Sequence, residues 1–439
     1  MILRTNNCRF CNQDIKSVIS FGKMPIANGF IGKKDYDSTI DMTNFTRYFF
    51  SKEFFFNLEA AFCTNCSLFQ LIEMPDPKIL FNQNYAYHSG QSKIMQSHFK
   101  DIAKMLINKY NLKINQFCVE IGNNDGGIVE YLCKLGYNHL GVDPATNVYN
   151  IAKSKGINVL NEYFSFDVAK KISKDYKKAD FILAANALSH IPDLQSVFTG
   201  IENLLSDDGI FITEDPYLID VLKKNSYDQI YDEHVYIFSL TSMQNICSKF
   251  GLELFDVEHV NTAGGSLRCF IAKKGVYNKT NNYNFFFDYE NKLNLLNNKI
   301  YVDFNSSCKK SKEELLKLLK SLTNKNKTIC GYSASAKNTT IYNYCGIGTE
   351  YIKFLTDTTP IKQNKLSPGM HIPIYDYKYF NENLPDYCFL GAWNLKEEIL
   401  NKEKNNFSTK GKWISHVPHV HILNDRVLEK TNWDLYELK

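Results

Sequence analysis

The chain has 439 residues, 44% of them hydrophobic, and 51 basic against 47 acidic side chains leave a net charge of +4. That length predicts two or three domains with ample cores, and a charge so near neutral argues against a dedicated nucleic-acid binder. Met1 to Asn7 lacks the apolar core of a signal peptide, and no apolar run approaches the roughly 20 residues that span a bilayer. A cytoplasmic protein with no membrane or nucleic-acid partner is therefore expected, its twelve cysteines serving as metal ligands or buried thiols.

Cys8-Arg9-Phe10-Cys11 and Cys63-Thr64-Asn65-Cys66 are two Cys-x-x-Cys knuckles. Together they bring Cys8, Cys11, Cys63 and Cys66 to one tetrahedral Zn²⁺. The gap from Cys11 to Cys63 is 52 positions (63 − 11), so the intervening segment must build a subdomain, and residues 1–75 are assigned to a small zinc-binding domain. A redox pair fits poorly, because there are two pairs and neither lies in a βαβ context. Four sulfur ligands leave no open position, which points to folding rather than catalysis. Gly22 to Phe30 reads as an ordinary loop and turn.

The next domain, 76–275, reads as a Rossmann-like α/β sheet. Asn84 to Gly90 is aromatic and polar, equally suited to lid a site or to anchor the zinc domain, and a helix follows over Ser92 to Leu112. Asn115 to Gly127 then reads as strand, tight turn and helix start. The strand Asn138 to Val142 closes on Asp143, 21 positions (143 − 122) beyond Gly122, where a ribose-binding carboxylate is expected. A dinucleotide fingerprint needs glycine at Asn124 and no acid in the loop. Glu120 and Asp125 would repel a pyrophosphate but suit the ammonium and sulfonium of S-adenosylmethionine (SAM), so SAM is favoured over NAD. Strands follow at Ile157 to Leu160, Asp180 to Ala185, Gly209 to Asp215, Leu252 to Val260 and Leu267 to Lys273, with helices near Tyr149 to Lys155 and Phe166 to Asp175. Asn186 to Asp193, at a strand's carboxyl end, occupies the ligand side of such a sheet. His190 there reads more readily as a cap or core residue than as a ligand.

Ser226 to Ser239 crowds Asp228, Tyr231, Asp232, Glu233, His234 and Tyr236 into one stretch. A histidine base next to a carboxylate, with tyrosines to steady an oxyanion, is one reading; an aromatic core edge with a solvated acidic face is the other. Residues 276–439 form a third, α/β domain. Helices over Tyr283 to Asn305 and Lys309 to Leu322 precede a strand at Thr328 to Tyr332. The loop Ser333 to Thr340, rich in small and hydroxyl side chains with Lys337, opens a helix and reads as an anion site without the Walker glycines. Further strands are expected at Tyr351 to Asp357, Pro385 to Leu390 and Lys412 to Val417.

Taken in order, these pieces resemble the SAM-dependent C-methyltransferases of nucleotide-linked 4-keto deoxysugars. The resemblance rests on both knuckles, Met24 to Asn28, Glu120-Ile121-Gly122 with Asn124-Asp125-Gly126, and Asn186 to Asp193. It extends through Tyr231 with Glu233-His234, Gly264 to Arg268, Gly331 to Lys337, and Pro368-Gly369 with His371-Ile372-Pro373. It implies a structural Zn²⁺, a class I SAM fold, a carboxyl-terminal α/β substrate domain, a substrate lying between domains, and a monomer or weak homodimer. By this similarity His234, assisted by Glu233, removes a proton beside the ketone, and the enolate carbon takes the SAM methyl. Tyr87, Tyr231 and Tyr236 would orient the sugar or steady the enolate. Tyr85, Glu120, Gly122, Asn124, Asp125, Gly126, Asp143, Pro144, Asn186 and His190 would hold the cofactor. Gly265, Ser266, Ser333, Ser335, Lys337 and Asn343 would hold the nucleotide sugar. Ala263, Asp232 and Asn338-Thr339 depart from the family pattern and bear on which substrate is used. An O- or N-methyltransferase, and a zinc-containing nucleic-acid-binding protein with a vestigial SAM fold, are the competing readings.

Overall fold

The computed structural model describes residues 1–32 and 53–423. Their packing divides into two compact units. The first gathers Met1–Asn28, Phe55–Lys223 and Gln229–Asn305, and the second gathers the described residues of 29–54, Lys224–Asp228 and 306–423. No helix among the described residues is long and apolar enough to cross a membrane.

The first unit is built on a seven-stranded sheet. We number its strands β1 (Phe117–Ile121), β2 (Asn138–Val142), β3 (Val159–Leu160), β4 (Ala179–Ala185), β5 (Leu205–Pro216), β6 (Leu252–Val260) and β7 (Ser266–Lys273). The spatial order is β6-β7-β5-β4-β1-β2-β3, parallel from β5 to β3, with β7 antiparallel to both of its neighbours. All five residues of β1 are buried, as expected for a parallel strand covered on both faces. The helix Lys93–Asn108 starts on the hydroxyl of Ser92, which accepts the Met95 N–H. It turns Phe99, Ile102, Ala103 and Leu106 into the core beside Cys118, Leu183, Ile212 and Phe270. Those positions recur every three or four residues, one stripe of a helix.

The zinc-knuckle region forms a four-stranded antiparallel sheet of Ile15–Pro25, Phe55–Cys63, Phe69–Leu71 and Tyr236–Ile237. Here the structure corrects the reading of Gly22 to Phe30 as loop throughout. Gly22 to Pro25 lies in a strand paired with Leu58 to Phe55, and only the residues beyond it turn. The alternating burial of that strand is broken by register shifts at Ser17/Ile19 and Ser20/Gly22, which blurs the period-2 signal in the sequence.

The second unit carries a six-stranded sheet. Its order is Ile374–Tyr375, Leu355–Thr356, Ile329–Tyr332, Tyr387–Leu390, Lys412–Ser415 and His421–Leu423, and all are parallel except the last. Phe380, Leu390, Phe407 and Trp413 fill its core. The helical pair expected before it is present with a different break. Helices span Asn281–Leu293 and Asn298–Thr323, and the chain turns where Asn294 adopts φ +49°. Asparagine tolerates that left-handed conformation and so ends a helix. Residues 306–308 are helical instead.

Candidate functional site

The chemistry gathers at the carboxyl ends of β1 to β4. Strand order reverses between β1 and β4, and that is where doubly wound sheets open a crevice. A cavity of about 290 Å³ lies there, lined by Ile121 to Asn124 after β1, Val142 to Pro144 after β2, Tyr163 to Ser165 after β3 and Ala185 to Ala187 after β4. Gly122 is required at its floor. Its φ is +73°, and a Cβ there would sit 2.5 Å from that of Ala187, so any side chain clashes as well as strains. Asp143 orders the turn: one carboxylate oxygen accepts the Asn124 N–H at 2.9 Å and the other the Ala145 N–H at 2.9 Å. Burial pushes its pKa up to about 6, against those two hydrogen bonds, so it is charged at neutral pH. Among the described lining residues there is no lysine or arginine.

Of the residues named from sequence for the cofactor, Tyr85, Gly122, Asn124, Asp143, Pro144, Asn186 and His190 line this cavity, and Tyr87 joins them. Glu120, Asp125 and Gly126 do not. Glu120 accepts the N–H groups of Ile128 and Val129 at 3.1 and 2.8 Å, capping the helix start. Asp125 accepts from the Ser89 hydroxyl and the Gly90 N–H at 3.0 and 2.8 Å, tying the aromatic segment 85–90 to the loop. Tyr163 and Phe164 were missed by sequence reasoning. They follow β3 as Asn186 follows β4, so the same carboxyl-end rule would have found them.

His190 leads from the cavity to the histidine-bearing turn. Its ring centroid lies 5.3 Å from that of His234, and burial lowers its pKa to about 4, so it is neutral and does not repel a cation. His234 sits at the end of a tight turn, its N–H donated to the Tyr231 carbonyl at 3.0 Å. Its Nδ1 lies 2.7 Å from the Gln229 carbonyl and its Nε2 2.9 Å from the Tyr231 hydroxyl. A carbonyl only accepts, so Nδ1 carries the proton and Nε2 offers its lone pair. Glu233 receives the Asn28 amide at 2.7 Å and the Tyr85 hydroxyl at 3.0 Å, and Asp232 receives the Ala27 N–H at 3.0 Å. Tyr236 donates its hydroxyl to the Pro192 carbonyl at 2.6 Å. Gly265 and Ser266 are also away from the cavity: Ser266 is buried, with its hydroxyl on the Thr262 carbonyl.

The four knuckle sulfurs fit a metal. All lie within 4.8 Å of one another, with Sγ–Sγ separations of 3.7 Å (Cys8–Cys66), 3.4 Å (Cys11–Cys63) and 3.6 Å (Cys11–Cys66). Four sulfurs ~2.3 Å from a tetrahedral zinc stand ~3.8 Å apart. Asn12 and Ser67, each just after its knuckle, have φ of +58° and +61°, so both knuckles close in the same left-handed turn. The Asn65 and Cys66 N–H groups point at Cys63 Sγ, each at 3.4 Å, as amides do toward a thiolate.

In the second unit, the loop after Ile329–Tyr332 repeats part of the scheme seen at β1. Ser333 has φ +80°, and the Ala334 N–H donates to Asp357 at 2.8 Å. Ser335 caps the helix Ala336–Cys345. Burial lowers the pKa of Lys337 to about 8, and Asp228 opposes the shift. Its ammonium lies 5.4 Å from the Trp393 ring centroid, a cation–π contact. Trp393 donates to Asp228 at 2.6 Å, and His416 Nε2 stands 3.6 Å from the other Asp228 oxygen. Asn343 spends its amide on the carbonyls of Thr339 and Pro368. Trp393 and His416 escaped sequence reasoning, since no spacing links them to Lys337.

Comparison with known proteins agrees with this geometry. Residues 8–81 match a family described as a putative zinc binding domain, 97–257 a methyltransferase domain, and 261–418 a C-methyltransferase C-terminal domain. The C-methyltransferase NovU of Streptomyces niveus is 29% identical over 421 residues, covering 95% of this chain and 97% of that protein. The chain is a SAM-dependent methyltransferase whose three matched domains are a zinc-binding domain, a methyltransferase domain and a C-methyltransferase C-terminal domain. Sterol 4-C-methyltransferase strm-1 of Caenorhabditis elegans is 28% identical over 144 residues, 32% of this chain and 41% of that one. Among solved structures, magnesium protoporphyrin IX methyltransferase from Synechocystis PCC 6803 with bound SAM covers 41% of this chain and 79% of its own at 13% identity and TM-score 0.31. The PH0226 protein of Pyrococcus horikoshii covers 43% and 95% at 18% identity and TM-score 0.35. For this methyltransferase, SAM is the methyl donor and Zn²⁺ the structural metal of the Cys8, Cys11, Cys63 and Cys66 cluster.

Proposed function

We propose that this methyltransferase methylates the carbon beside the ketone of a nucleotide-linked keto-deoxysugar through an enolate. The observation that carries the reading is the His234–Tyr231 dyad. Its basic nitrogen is oriented by the Gln229 carbonyl, and the ring of His234 lies against His190 at the cavity wall. A ketone acidifies its neighbouring C–H, and a positioned histidine is the side chain suited to remove such a proton near neutral pH. The proton passes to His234 Nε2, and the electron pair of the broken C–H bond shifts toward the carbonyl oxygen. As Nε2 takes that proton it no longer accepts the Tyr231 O–H, which would be freed to donate to the oxygen as its charge develops, and Tyr87 would serve the same sugar face. Bound SAM supplies an electrophilic methyl group to the carbon nucleophile and departs as S-adenosylhomocysteine.

Asp143 would receive the ribose hydroxyls of the cofactor, and Tyr163 and Phe164 would pack on its adenine. Neutral His190 adds no charge beside a sulfonium. In the second unit, Ser333, Ser335 and Lys337 would hold the nucleotide diphosphate, with N–H groups, hydroxyls and one half-buried lysine at a helix start. The test is mass spectrometry of nucleotide-linked 4-keto sugars incubated with SAM. One added methyl is expected, together with loss of the carbon-bound hydrogen. Methylation with that hydrogen kept would overturn the reading in favour of oxygen or nitrogen transfer.

A further inference from the structure

We infer that the zinc knuckles position the base, so that metal occupancy sets the state of His234 separately from cofactor binding. The strand Tyr236–Ile237, two residues beyond His234, is not part of the seven-stranded sheet. It pairs with Phe69–Leu71 of the zinc-knuckle sheet, Tyr236 opposite Gln70 and Ile237 opposite Phe69, and the Leu71 N–H donates to the Val235 carbonyl at 2.9 Å. The strand Phe69–Leu71 begins three residues after Cys66 and is tied to the other knuckle by two residues. Gln70, fully buried, accepts the Arg9 N–H through Oε1 at 2.9 Å. Arg9, between Cys8 and Phe10, donates its guanidinium to the carbonyls of Leu71 and Ile72 at 3.1 and 3.0 Å.

On its other side the same turn is held by the end of Ile15–Pro25. Ala27 and Asn28, just beyond that strand, reach Asp232 and Glu233, and that strand pairs along its length with Phe55–Cys63, which delivers Cys63 to the metal. The turn bearing His234 is thus fastened at both flanks to a sheet whose strand Phe55–Cys63 ends on a zinc ligand and whose strands Ile15–Pro25 and Phe69–Leu71 start just after the knuckles. None of these strands lines the SAM-type cavity. Release of the metal removes the fixed point for both flanks, and the Gln229 carbonyl then ceases to enforce one imidazole tautomer. Arg9 and Gln70 are positioning residues in this account, acting through His234.

This inference rests on His234 being the base, so the deciding signal in its test is one that needs no sugar, with kcat read beside it. Full-length protein with ¹⁵N-labelled histidine, loaded with SAM, is compared with chelator-treated protein and with Gln70→Met and Gln70→Glu variants of measured zinc content. Wild type should show one protonated and one unprotonated His234 nitrogen. In Gln70→Met with zinc retained, the two signals should move together as the tautomers mix. The rate constant kcat should fall at least tenfold, SAM affinity should stay within about twofold, and Gln70→Glu, which keeps the acceptor, should restore the wild-type pattern. An unchanged His234 spectrum in zinc-loaded Gln70→Met would overturn the inference, as would SAM affinity falling in step with kcat. Failure of the wild type to methylate any keto sugar would sink the proposed function instead and leave the His234 spectra to decide this point.

Discussion

After Phe117–Ile121 the loop amide of Asn124 points at Asp143, and after Ile329–Tyr332 the loop amide of Ala334 points at Asp357. In each place the second carboxylate oxygen accepts the amide two residues further on, Ala145 in one and Thr359 in the other. The two strand ends share a backbone device and differ in charge. No cation lines the first among the described residues. At the second, Lys362 sits 3.5 Å from Asp357 and donates to the Ala334 carbonyl, and half-buried Lys337 stands one turn away. A doubly wound sheet supplies amides and a carboxylate at its switch point without choosing a ligand. The side chains added around them set the sign: the first, without a cation, suits the sulfonium of SAM, and the second, with two lysines, suits an anion such as the diphosphate proposed above.

Substitutions should therefore separate the two loops. The largest effect is expected for His234→Ala, with kcat down by about 10²- to 10⁴-fold as for loss of a general base, while SAM and nucleotide affinities measured by calorimetry hold. Gly122→Ala should abolish SAM binding, because the added methyl meets Ala187, and leave nucleotide binding intact. Lys337→Met should do the reverse. Losing a charge-assisted hydrogen bond costs about 1.5–3 kcal/mol, roughly a 10- to 100-fold rise in the nucleotide Kd, with SAM binding unchanged and weaker salt dependence. Equal losses for both ligands in either variant would erase the distinction.

The smallest effects are those of pH. Lys337, held near 8, loses its proton as pH rises through that value, so nucleotide affinity should decline above about pH 8 in wild type and stay flat in Lys337→Met. Asp143, held near 6, gains a proton as pH falls through that value, so SAM affinity should weaken below about pH 6 and Asp143→Asn should remove the trend. Calorimetric titrations across pH 5 to 9 check both signs.

The sheet of the first unit could be read from the chain because most of its strands are apolar runs ended by glycine, asparagine or an acid, and all seven appear within a few residues of their expected places. The knuckles were legible because thiolate spacing has few alternative uses. The strand Tyr236–Ile237 was hidden, since two residues carry no period and its pairing partner lies more than 160 positions away. The break at Asn294 was hidden by an asparagine-rich background in which no one residue stands out as a cap. Site residues were legible where a strand's end announces them, as at Asp143 and Asn186. They were illegible where side chains converge from distant segments, as Trp393 and His416 do on Asp228.

Transfer from SAM carrying a ¹³C methyl to a nucleotide-linked 4-keto sugar, followed by carbon–carbon coupling in the product NMR spectrum, decides between carbon and heteroatom methylation. The account predicts a methyl signal coupled to the sugar carbon next to the ketone, absent in His234→Ala. A methyl signal at an oxygen- or nitrogen-bound shift, or an undiminished yield from His234→Ala, would contradict it.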